Sequence, residues 1–139
     1  MTLSKAERIL AAIVTAITPT SGISSRVFRD RWEAVARSEM PCVVVEPLGE
    51  SDEVPTTGPI NTDLTVSIDV LISGSPLSTL ADPIRVDMHS RLMAATFTGL
   101  QVIHCYPQSR EWKAEPGEIG ILSSSYSVRY RTLLSDLTA

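Results

Sequence analysis

Residues 64–72 read LTVSIDVLI, and their alternation decides what kind of fold the chain adopts. Leu64, Val66, Ile68, Val70 and Ile72 fall at every second position. Thr65, Ser67 and Asp69 lie between them, and Leu71 is the one exception. Successive side chains of a strand point to opposite faces. A period of two therefore gives a strand with one face on a core and the other wet or at an interface. The run SGSP at 73–76 stops it. An apolar sheet face needs a second layer to cover it, and the flanking sequence supplies two candidates.

On the N-terminal side, residues 4–17 read as a helix. Ser4 and Glu7 match a capping box, in which the serine accepts from the N–H of Glu7 and the glutamate reaches back. Ala6, Leu10, Ile13 and Ile17 form one stripe, which Ile9 and Val14 widen. Pro19 disfavours helical angles at Thr18 and, with Gly22, ends the helix. On the C-terminal side, Asp82 as N-cap and Pro83 as first residue open a second helix. Its stripe is Ile84, Met88, Leu92 and Ala95, and Gly99 ends the turn that follows.

The remaining strands are less regular. A short candidate spans 25–29. The segment 31–39 reads as a turn or a helix of one to two turns. Residues 42–46 (CVVVE) form a dense β-branched run and read as a buried strand. Residues 49–59 (GESDEVPTTGP) hold two prolines, two glycines and three acids without periodicity, and read as a loop. Strand candidates follow at 100–106, 110–115 and 121–134. In the last, Tyr126, Val128 and Tyr130 alternate with Ser125, Ser127, Arg129 and Arg131. The turn signal EPGE at 115–118 joins the last two as an antiparallel hairpin. The class is α+β: an antiparallel or mixed β-sheet with two α-helices on one face, in a single domain spanning 1–139.

Bulk properties narrow the function. The 139 residues are 43% hydrophobic and 20% charged, enough for a packed core. Twelve Lys and Arg against 16 Asp and Glu leave a net charge of −4, a poor footprint for DNA or an anionic membrane. Two cysteines, Cys42 and Cys105, are too few for a disulfide scaffold and read as reduced thiols. No apolar run reaches the length of a membrane span or signal peptide, so a soluble intracellular chain is expected.

Chemistry-bearing residues are sparse. His104 and Cys105 are adjacent in a strand candidate and face opposite ways, so they cannot share a metal. His89 belongs on a flank of the second helix. A nucleophile built from Cys42 or Cys105 with either histidine is formally possible, but burial would make Cys42 inert. Glu50, Asp52 and Glu53 cluster as clustered Ca²⁺ ligands do, without an EF-hand spacing; a solvated acidic tip is the simpler reading. No phosphate-cradling or zinc motif occurs, and no cofactor is expected. Arg26, Arg29, Arg31 and Trp32 could stack on nucleic acid, although a surface or partner contact suits the acidic chain better. Arg129 and Arg131 could pair with Asp63, Asp69 or Glu46, across the sheet or between subunits.

Several segments together resemble the phage tail terminators, the minor tail protein U-like family of long-tailed phages. They are LSKAERIL at 3–10, PCVVVEP at 41–47, VLI at 70–72, ADPIRVDMHSRLM at 81–93 and YSVRYRTL at 126–133. The resemblance implies a non-enzymatic virion protein, assembled in the host cytoplasm. It would form a ring, usually of six copies, at the head-proximal end of the tail, capping the tube and presenting a surface to the head–tail connector. DNA would pass the lumen without specific binding. A neck or head-completion adaptor, often twelvefold, is the alternative, and a cysteine enzyme a more distant one. Interface candidates are Glu50, Asp52, Glu53, Thr56, Asp69, Arg129 and Arg131, with the 49–59 loop expected to meet the tube end or a neighbouring subunit.

Overall fold

The computed structural model describes residues 2–31, 33–116 and 118–139. Its elements run α1 (Lys5–Ile17), β1 (Val27–Arg29), a 3-10 turn (Arg37–Glu39), β2 (Cys42–Glu53), β3 (Ile60–Ser73), α2 (Leu77–Met93), β4 (Val102–Glu115) and β5 (Ile119–Thr132). The strands form one five-stranded sheet in the order β1-β2-β3-β5-β4. β1 runs parallel to β2 and every other pair is antiparallel, so the sheet is mixed. Both helices cover one face. Ile9, Ile13 and Ile17 of α1 and Ala81, Met88 and Leu92 of α2 meet Val43, Ile68, Leu122 and Tyr126, all at most 1% exposed.

The alternating strands behave as their sequences require. The five alternating aliphatic residues at 64–72 are all buried while Leu71 is only half-buried, and Tyr126, Val128 and Tyr130 share their face in register. α1 keeps half of its capping box. Ser4 Oγ accepts from the N–H of Glu7 at 3.3 Å, while the Glu7 carboxylate instead pairs with Arg29 at 2.5 Å. Thr18 retains helical angles before Pro19, because its N–H and hydroxyl both reach the Val14 carbonyl, at 3.0 and 2.6 Å.

Three assignments differ in substance from the sequence reading. α2 begins at Leu77, with Pro83 as its seventh residue. The proline leaves the Thr79 carbonyl without a helical donor. The added turn is held by Leu77 and Ala81, which extend the Ile84–Met88–Leu92 stripe by i, i+4 steps, and packing overrides the local start signal. Asp82 is not the cap; it pairs with Arg85 at 2.7 Å. At the other end, Ala95 lies past the last helical residue, Met93.

The 49–59 loop is the second difference. β2 continues through Glu53 and pairs residue by residue with β3, leaving only 54–59 as the connection. Register continuity with β3 holds this polar stretch extended although its own sequence has no strand pattern. Gly58 has φ +99°, a conformation that needs glycine at the tip. Third, the strand candidates at 100–106 and 110–115 are one strand, β4, with a bulge between Pro107 and Ser109. β4 is an edge, where a residue lacking an N–H is tolerated. Within 31–39 the described residues form a 3-10 turn at Arg37–Glu39, in keeping with the turn the sequence allowed there. Gly117, in the β4–β5 turn signal, lies outside the described residues.

Both sheet margins carry the same pair of features. β2 has Pro47 and a bulge between Pro47 and Gly49, and beyond Val45 it has no partner on its outer side among the described residues. β4 has Pro107 and two bulges.

Candidate functional site

The β2–β3 hairpin divides the acidic cluster. Strand alternation puts Glu50 and Asp52 on the helix-side face and Glu53 on the open face, so the three carboxylates do not converge. Glu50 accepts from the Tyr130 hydroxyl at 2.6 Å, and Asp52 from the Thr62 hydroxyl at 2.7 Å. Burial, and next the hydrogen bond to Glu50, push the Tyr130 phenol well above its ordinary pKa. Glu53 accepts from Arg129 at 2.6 Å. Among the described residues no group of three or more His, Cys, Asp or Glu side chains is placed to hold a metal ion. Thr56 sits at the exposed tip, between the two strands.

The open face of β3 and β5 carries a series of polar contacts made within the chain, although Asp63 Oδ1 is buried without a partner among the described residues. Asp69 Oδ1 accepts from the hydroxyls of Ser67 and Ser123, at 2.8 and 2.6 Å. Arg129 forks between Asp63 of β3, its direct cross-strand partner, at 3.0 Å and Glu53 of β2. The Glu53 hydrogen bond, reinforced by Asp63, holds that guanidinium more firmly charged than usual. Arg131 takes Asn61 at 3.0 Å, not Asp69 or Glu46. The candidate residues therefore fall into several separate groups rather than one site.

One feature escaped the sequence reading. At the Ile119 end, the open face turns apolar: Val44, Leu71, Ile119 and Ile121 floor a cleft of about 310 Å³, overhung by Arg31, Val35 and Met40. Its signals were Leu71, which breaks the alternation of β3, and Ile119 and Ile121, which fall in the polar phase of β5. Arg31 and Glu39 clamp the overhang through two hydrogen bonds of 2.7 and 2.9 Å, which with the N–H of Ala36 hold the Glu39 carboxyl down to about 2. Glu46, Asp69 and Glu115 complete the rim.

The proposed nucleic-acid cluster is occupied internally. Arg26 donates to the Pro41 carbonyl at 3.0 Å, Arg29 pairs with Glu7, and Arg31 pairs with Glu39 while lying over the Phe28 ring. Trp32 lies outside the described residues.

The thiols are poor nucleophiles. Burial pushes Cys42 and Cys105 to about 11, with Glu39 adding to the effect at Cys42. Cys42 lies opposite Leu71 on β2, and Cys105 opposite Val128 on β4. Three strand spacings and seven residues of offset separate them, far beyond disulfide reach. His104 faces the open side and Cys105 the helix side, as adjacency requires. His89 lies 2.8 Å from the Tyr126 hydroxyl through Nδ1. No helix among the described residues is long and apolar enough to cross a membrane.

No protein-family model matches the chain, and no curated protein matches it. The fold itself has solved counterparts. One is a chain from the virion of a native gene transfer agent particle, similar at a TM-score of 0.68 with 12% identity, covering 91% of this chain and 97% of that one. The likeness establishes a shared fold.

Proposed function

We propose that this chain is a virion structural protein that closes the head-proximal end of a phage tail tube. The observation that carries the reading is the near end-to-end match to a chain of a phage-like virion, with little left over on either side. The tail-terminator resemblance of the sequence agrees with it.

The architecture suits the task. Helices occupy one sheet face, leaving the other for contacts between copies or with the tube. On that open face Arg129 is paired within the chain by Glu53 and Asp63, so this cluster offers little to hold a passing DNA backbone. A ring needs two different patches that meet head to tail and close by rotation. The exposed tip at 54–59 is placed to reach beyond the sheet toward the tube end or a neighbour.

Electron microscopy of particles made without the protein tests the role. A terminator predicts overlong tails that never join heads. Filled heads that leak DNA would instead place the protein in the neck. Sedimentation of the purified chain, alone and with tube ends, should show a species six times the 15.1 kDa chain mass.

A further inference from the structure

Resting on the ring reading, we infer that the cleft at the Ile119 end of the open face receives the segment around Arg131, Leu133 and Leu134 of a second copy. Three observations carry this contact. The cleft floor is aliphatic on an otherwise polar face, while its rim bears Glu46, Asp69 and Glu115. Among the described residues Glu46 and Glu115 form no ion pair, and Arg31 is already neutralised by Glu39.

The segment after β5 has the complementary character. Leu133, Leu134 and Leu137 are 53%, 68% and 62% exposed, the densest run of exposed aliphatic side chains among the described residues. Arg131 beside them is exposed; its guanidinium donates to Asn61 and forms no ion pair among the described residues. The segment is also firmly held. The Lys5 N–H donates to the Leu137 carbonyl at 2.9 Å, the Leu133 N–H to the Ala139 carbonyl at 2.8 Å, and Arg8 to the Thr138 carbonyl. An ordered knob loses little entropy on docking.

The two patches cannot meet within one chain. Ile121 lines the cleft and Arg131 lies ten residues further along the same strand, about 33 Å away. Any contact between them joins unlike surfaces of two copies, the arrangement a ring demands. The sheet edges are weaker candidates, because the prolines and bulges of β2 and β4 interrupt the ladder a new strand would need.

The test is complementation, read by sedimentation under conditions where the wild type multimerises. A cleft variant, Leu71→Asp, and a knob variant, Leu133→Asp with Leu134→Asp, should each remain monomeric. Mixed together they should give a one-to-one dimer and nothing larger, since each supplies one intact patch. Circular dichroism checks that both fold. A charge pair on the surface avoids that question. Glu46→Arg and Arg131→Glu should each weaken assembly about tenfold, and combining them in one chain should recover most of the loss. If the wild type forms rings and these variants do so equally well, the contact is wrong and the ring stands. A wild type that stays monomeric, even with completed tubes, overturns both.

Discussion

Shortening the hairpin tip separates docking from folding. Glu53 and Asn61 are the last paired residues of β2 and β3, so the closed loop spans the seven residues 54–60. Replacing 54–59 with Gly-Asn-Gly leaves four, keeps buried Ile60 opposite Thr132 and retains a glycine for the left-handed position that Gly58 now occupies. Loop-closure entropy then changes by (3/2)RT ln(7/4), about 0.5 kcal/mol in favour of folding. The deleted side chains are exposed, Val54 at 61%, so almost no burial is lost. The urea midpoint should therefore correspond to a stability within about 1 kcal/mol of wild type, and the melting temperature should move by only a few degrees. Head-joined tails, scored by microscopy after complementing a null particle, should disappear. Normal joining by the shortened chain would show that the tip does not dock. A stability loss above about 2 kcal/mol would show that the tip holds the fold, and the separation assumed here would be wrong.

Three further outcomes follow from the polar contacts. Tyr130→Phe removes the 2.6 Å bond to Glu50 and should cost about 1 kcal/mol in urea denaturation, less than a fully buried charged hydrogen bond because Glu50 itself is exposed. Because the folded thiols ionise near 11 and the ordinary value is 9.0, Cys42 and Cys105 stabilise the fold fully below about 9. That contribution should fade as pH rises from 9 toward 11, and native protein at pH 7 should react with a thiol reagent much more slowly than unfolded protein. The Arg31–Glu39 clamp acts in the opposite direction: it is complete above pH 4.5 and is lost as pH falls toward 2, which carboxyl NMR shifts of Glu39 should follow.

Much of the fold was legible because its signals are local. The alternation at 64–72 and 121–134 and the α1 stripe each depend on spacing alone, and all three elements form. The errors arose where a distant partner decides the outcome. Residues 49–53 are strand because β3 lies alongside, and Leu77 is helical because it packs against the core. The candidate site was only partly readable. The pairing of Arg129 with Asp63 follows from cross-strand register, which two alternating strands allow one to guess. Its second partner, Glu53, required β2 to extend. The apolar cleft joins residues from β2, β3 and β5 with the connection before β2, and its imprint on the sequence was slight: Leu71 in β3 and Ile119 and Ile121 in the polar phase of β5.

The blunted margins of the sheet bear on how such a molecule survives before it is used. Under the proposed role, a freshly made copy would wait among many identical siblings. An uninterrupted outer strand would let them zip together into fibres. With proline and a broken register on both flanks, that shortcut is closed, and the ring proposed above would be left free to form through faces that close on themselves.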